Sequence, residues 1–305
     1  MFHDVRDPEW FEEVIVYLAR RYKLVDLSTI EADLARGEFH EGRCHISFDD
    51  GHESFYHNVL PVIRKHSVPA TIFISPQITR NGGYFWFQKY RLLPREQFDK
   101  FVRSKLSGKL PDNVLVNTQG NILLKSMRID EINDIIDEFC GANQIRFGER
   151  CNLDLEQLSD ILGSRLVEVG AHTLRHPILA NEEDKTVESE IGESIIQTSE
   201  LVGRPVRYFA CPNGLPGYDF GEREIHIMKN HGIKLNMTTL PGPLTDRYGC
   251  WSVPRIGISK GSLRTIGIKI RNAGLWSLLR DKANRKSEFN QRRRMRKVLQ
   301  AYKIS

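Results

Sequence analysis

The chain has 305 residues, 40% of them hydrophobic and 27% charged, with a formal net charge of +5. This is room for one large domain with additions and an ordinary globular balance. No stretch nears the ~20 apolar residues needed to cross a bilayer as a helix. Five cysteines (Cys44, Cys140, Cys151, Cys211 and Cys250) show no CxxC spacing and are odd in number, which argues against a disulfide framework and a zinc ribbon. The first twenty residues hold no basic region followed by an apolar run, so no secretory signal is read and a cytoplasmic location is expected.

In chain order, Phe2-His3-Asp4-Val5 is a short apolar-edged start, and residues 8–21 carry helix periodicity through Phe11, Val14, Ile15 and Leu18. Residues 23–27 predict a strand. Ser28 with Glu31 forms a capping-box pattern that opens a helix ended by Gly37. In residues 45–51, Ile46 and Phe48 alternate with His45 and Ser47, which predicts a buried strand stopping at Gly51. Asp49 and Asp50 sit where it stops. Neighbours on an extended chain point to opposite sides, so one carboxylate can bind a metal while the other serves as a base. Taken alone, Asp-Asp-Gly is also an ordinary turn. Residues 53–66 predict a helix restarting at Pro61, and residues 70–75 another buried strand, giving parallel βα order.

Residues 82–150 lose this regularity. They hold Tyr84, Phe85, Trp86 and Phe87 in a row and a helix over 129–140. The row, with Trp86 at its centre, serves either as a sugar platform or as packing that anchors the segment. Regularity resumes with a helix over 155–162 and a strand over 166–169 that breaks at Gly170. His172 and His176 follow, and one helical turn would set both imidazoles on one side. With one of the two aspartates they make a three-ligand cation site that leaves room for water; taken alone, they are also two surface histidines at a helix start. Residues 182–202 predict one helix, 206–211 a strand closing at Pro212-Asn213-Gly214, 222–230 a helix, and 233–239 and 251–258 strands. Strand-end chemistry on repeated βα units points to an α/β barrel.

Ser47-Phe48-Asp49-Asp50-Gly51 and His172-Thr173-x-x-His176 resemble the first two motifs of the NodB-homology polysaccharide deacetylases, carbohydrate esterase family four. Phe209-Ala210-Cys211-Pro212-x-Gly214 is similar to their third motif, and Val253-Pro254-Arg255-Ile256 to a late strand of the exopolysaccharide-processing branch. The resemblance covers residues 1–262 and implies a distorted (β/α) barrel with fewer than eight units, interrupted by an insert at about 82–150. It implies Asp49 as catalytic base and Asp50, His172 and His176 as ligands of a divalent metal. One oxygen and two nitrogen ligands suit zinc, cobalt, nickel or manganese. Such a metal polarises a carbonyl and acidifies bound water.

Two departures from the family pattern matter. The late Leu-x-x-His acid of most relatives is missing after His231, whereas Phe2-His3-Asp4-Val5 is similar to the start of the permuted poly-N-acetylglucosamine deacetylases, which makes His3 the acid candidate. Ala210 stands where many relatives have an Arg that orients the base, leaving Arg204, Arg207 and Arg255 as substitutes. Pro212 and Gly214 are supporting candidates from the third motif. The expected activity is metal-dependent N-deacetylation of an N-acetylated glycan or its lipid-linked precursor, with no nucleic-acid partner. Two other classes remain open: a catalytically silent glycan-binding or scaffold domain, and an iron oxygenase with two histidines and one carboxylate.

Residues 263–305 fall outside the resemblance. An apolar cluster (Ile266, Ile268, Ile270, Leu275, Trp276, Leu278, Leu279) precedes residues 285–305, where eight Lys or Arg face Glu288 alone. That surplus of seven exceeds the +5 of the whole chain, so the basicity belongs to the tail. It reads either as peripheral contact with an anionic membrane or as a docked helix followed by a solvated extension.

Overall fold

The structure, a computed structural model, describes residues 1–273 and 288–302. Two short strands, β1 (Lys23–Leu24) and β2 (Arg43–Cys44), pair in parallel at one edge. The central sheet is parallel and runs in chain order: β3 (Ile46–Phe48), β4 (Ala70–Ile74), β5 (Val167–Ala171), β6 (Tyr208–Ala210) and β7 (Leu235–Met237). Parallel strands covered on both faces need no alternation, and Ser47 is as buried as Ile46 and Phe48. The curl continues through single bridges, Met237 with Val253 and Phe2 with Phe48. Ile258 N–H donates to the Met1 carbonyl at 2.9 Å, linking those two edges. The architecture is the distorted barrel of fewer than eight units that the motifs imply.

Several local expectations change. β5 does not break at Gly170 but runs through it to Ala171. A Cβ at Gly170 would lie 2.5 Å from the Phe73 ring and 2.8 Å from the Tyr208 carbonyl, so the glycine permits close approach of neighbouring strands. Asp26, not Ser28, caps helix Leu27–Arg36 by accepting from Thr29 N–H at 2.8 Å. Residues 251–258 make one bridge rather than a strand. The single helix read over 182–202 begins only at Asp184 and carries a π-helical turn at Ser189–Glu193 before continuing as Ser194–Val202.

The barrel core joins Phe2, Phe11, Phe48 and Phe55 in edge and stacked contacts, with Ile266 of helix Leu263–Arg271 packed on them. Between residues 86 and 142 five helices, from Trp86–Leu92 to Ile129–Ala142, build a separate core around Phe98, Leu123, Ile132 and Phe139. Helix Glu288–Tyr302 docks on that core through Met295, Val298 and Leu299. Leu275, Trp276, Leu278 and Leu279 lie outside the described residues. No helix among the described residues is long and apolar enough to cross a membrane.

Candidate active site

The two aspartates leave β3 in different directions because the chain turns there. Asp50 and Gly51 both adopt left-handed backbone, at φ 70° and 61°. Asp49 N–H donates to the Phe2 carbonyl at 3.1 Å, which fixes the strand end from which its carboxylate departs. Both carboxylates are buried.

Asp49 meets Arg255. The guanidinium makes a two-pronged contact, 2.6 Å to Oδ1 and 2.7 Å to Oδ2, and its Nε donates to the Thr238 carbonyl at 2.9 Å. Burial opposes ionisation of Asp49, but the Arg255 charge and hydrogen bonds outweigh it and hold the carboxyl below its usual range. Of the three arginines read as substitutes for the motif residue, Arg255 alone reaches Asp49. Arg204 and Arg207 are exposed where the chain enters β6, at the far end of the strands. Arg207 pairs there with Glu31, and the charge of Arg204 is felt by Glu168.

Asp50 faces the histidines, with Oδ1 3.3 Å from His172 Nε2 and 3.5 Å from His176 Nε2. His172 Nδ1–H donates to the Ala210 carbonyl at 2.6 Å, which leaves Nε2 turned to Asp50 as the available ligand atom. The third motif thus acts on the site through a main-chain oxygen. Asp50 Oδ1 and His176 Nδ1 are buried without a hydrogen-bond partner. Ligand atoms from Asp50, His172 and His176 all lie within 4.8 Å of one another. A buried carboxylate oxygen lacking a donor between two imidazoles fits a cation. Among the described residues one other group, Asp33, Glu38 and His40, has comparable spacing, but Asp33 already pairs with Arg36 and Arg43.

Burial opposes ionisation of Asp50 as well, yet the neighbouring imidazoles hold it below the usual carboxylate range. Burial lowers His176 to about 3, keeping it neutral and ligand-ready. His172 is raised despite its burial, because Asp50 and Asp49 favour its cation.

No helical turn joins the histidines. Thr173 and His176 both sit at φ 62° in an irregular loop. Thr173 Oγ1 donates to the His172 carbonyl at 2.6 Å and accepts from His176 N–H at 3.1 Å. Trp86 is buried and its Nε1–H donates to the His176 carbonyl at 3.0 Å, so it braces the loop that carries both histidines and offers no face to a sugar. Phe87 lies 4.6 Å from the His176 ring, centroid to centroid. Pro212 is buried and Gly214 adopts φ 64°, where a Cβ would lie 2.9 Å from the Cys211 carbonyl; they shape the loop after β6. His3 follows the Phe2 bridge, is exposed, and its charge is felt at both Asp49 and Asp50.

The family model described as polysaccharide deacetylase matches residues 36–107 and 125–235. A curated poly-beta-1,6-N-acetyl-D-glucosamine N-deacetylase of Staphylococcus epidermidis is 29% identical over 104 residues, 34% of this chain; the match spans only about a third (35%) of that relative's length. Among solved structures, IcaB from Ammonifex degensii superposes with a TM-score of 0.57 at 16% identity, covering 87% of this chain and 93% of the other. The Streptococcus pyogenes deacetylase PplD, solved with acetate, gives 0.56 at 16% identity over 85% and 90%. These superpositions establish a shared fold.

Proposed function

Since this chain belongs to the polysaccharide deacetylase family, we propose that it hydrolyses the acetamide of an N-acetylated sugar in a surface or exopolysaccharide glycan or its precursor. The observation that carries this reading is the division of labour at the end of β3: Asp49 clamped by Arg255 and Asp50 turned to the two histidines. A general base must be ionised and aimed, and Arg255 provides both conditions for Asp49. Asp50, His172 and His176 would hold one divalent cation, with zinc, cobalt, nickel and manganese all compatible with the donors. When bound, such an ion polarises the substrate carbonyl and acidifies water. Asp49 takes the proton of the attacking water. His3, whose charge is felt at both carboxylates, gives a proton to the departing amine.

The curated relative is a poly-beta-1,6-N-acetyl-D-glucosamine N-deacetylase, which makes β-linked N-acetylglucosamine oligomers the first substrates to try. The test is acetate release from such oligomers by chelator-treated protein with zinc or cobalt restored, beside ferrous iron with 2-oxoglutarate. Release with zinc or cobalt supports the reading. Turnover only with iron would favour the oxygenase class, and glycan binding without release would favour a silent binding domain. A cytoplasmic location belongs to the same proposal, as does contact with an anionic membrane, for which Arg293 and Lys297, exposed on helix Glu288–Tyr302, supply the cations.

A further inference from the structure

The loop between His172 and His176 holds two non-glycine residues, Thr173 and His176, in left-handed backbone. Such a conformation persists only where the surroundings over-determine it. The inner restraint is Thr173. A second restraint comes from another element: Glu190 Oε2 accepts from the backbone N–H groups of Leu174 and Arg175 at 2.9 and 3.0 Å, and Oε1 accepts from Arg175 Nε at 2.7 Å. Glu190 is 1% exposed and lies on the π-helical turn Ser189–Glu193. Val187 and Ser194, one turn before and one turn after it, are fully buried, so the carboxylate lies on a buried stripe of the helix. A buried carboxylate is costly unless each oxygen is satisfied, and here all three donors come from the metal loop. Arg175 also reaches outward, donating to Asp130 Oδ1 at 2.5 Å, so the loop is held between the barrel and helix Ile129–Ala142.

We infer that Glu190 is a positioning residue of the metal centre, holding the His172–His176 loop in the shape that sets both imidazoles against Asp50. The inference rests on the metal reading above. No hydrogen bond joins Glu190 to the ring of His172 or His176; it acts through Leu174 and Arg175, two of the three residues between them. Loss of an outer partner of this kind typically weakens metal affinity by about 10–100-fold.

The experiment is cobalt binding to chelator-treated full-length protein, measured by competition with a chelating indicator and by the visible d–d spectrum, for the wild type, Glu190→Gln and Glu190→Ala. Glutamine keeps the size and one acceptor for the loop amides but sets an N–H group against Arg175 Nε. Near-ultraviolet circular dichroism verifies folding, and the isosteric Glu190→Gln provides the decision if the alanine variant does not fold. The expected result is a dissociation constant raised about 10–100-fold, more by alanine than by glutamine, with an altered cobalt spectrum. A folded variant that binds cobalt with wild-type affinity and spectrum overturns the inference, even if its melting temperature falls. Absence of cobalt binding by the wild type itself would instead overturn the metal reading.

Discussion

At the level of single residues, Asp49 and Arg255 form a buried pair whose members are not interchangeable in their failure. Asp49→Asn keeps shape but cannot take a proton, so deacetylation should fall by ~10²–10⁴ while bound metal, measured by elemental analysis, stays stoichiometric. Retained turnover would remove Asp49 from the role of base. Arg255→Met strands a buried carboxylate, which typically costs about 3–5 kcal/mol in stability. Urea unfolding should show that loss for Arg255→Met, and much less of it once Asp49→Asn is combined with it. Additive losses would mean that the two side chains act separately. His172→Ala with His176→Ala should abolish stoichiometric metal with the fold intact by circular dichroism.

At the level of elements, the close approach of β4, β5 and β6 depends on Gly170. Adding one methyl there meets the Phe73 ring at 2.5 Å and backbone oxygen at 2.8 Å, and overpacking of this sort costs about 1–3 kcal/mol. Gly170→Ala should lower the urea midpoint accordingly; an unchanged midpoint would show that the strands have room to part. Glu182 joins the barrel to the neighbouring helices by accepting from Ile129 N–H at 2.7 Å. Burial pushes its carboxyl up to about 7, above its ordinary value of 4.5. The folded state therefore binds more protons than the unfolded between those values, and stability drains away as pH rises through that window. Glu182→Gln should gain stability relative to the parent between pH 5 and pH 8, by parallel urea titrations. A constant difference across that range would contradict the raised value.

At the level of the whole molecule, the basic tail has two faces with different work. Arg292 is buried, pairs with Asp219 and stacks over Tyr218, while Met295 enters the apolar core of the neighbouring helices. Arg293 and Lys297 are exposed. A surface cation near an anionic bilayer is worth about 1 kcal/mol and is screened by salt. Cosedimentation with anionic vesicles should weaken when Arg293 and Lys297 become Gln, without loss of stability. Equal sedimentation at low and high salt would rule against an electrostatic membrane contact.

The family motifs implied Asp50 as the aspartate on the metal side; the sequence alone determined the parallel βα order, the strand end bearing Asp49 and Asp50, and the association of one of them with His172 and His176. Those features follow from local periodicity and from residue types that only a few chemistries bring together. It also supplied Arg255, but beside Arg204 and Arg207, because a long-range ion pair leaves no trace in spacing: Arg255 reaches Asp49 across more than 200 residues. Trp86 read as an exposed platform or an anchor until its indole N–H was seen on the His176 carbonyl. Glu190 gave no signal, since a lone acid within an amphipathic helix ordinarily faces water. Only the tertiary structure decided these roles. Burial and hydrogen-bond partners are properties of what surrounds a side chain, and the elements that surround these come from distant parts of the chain.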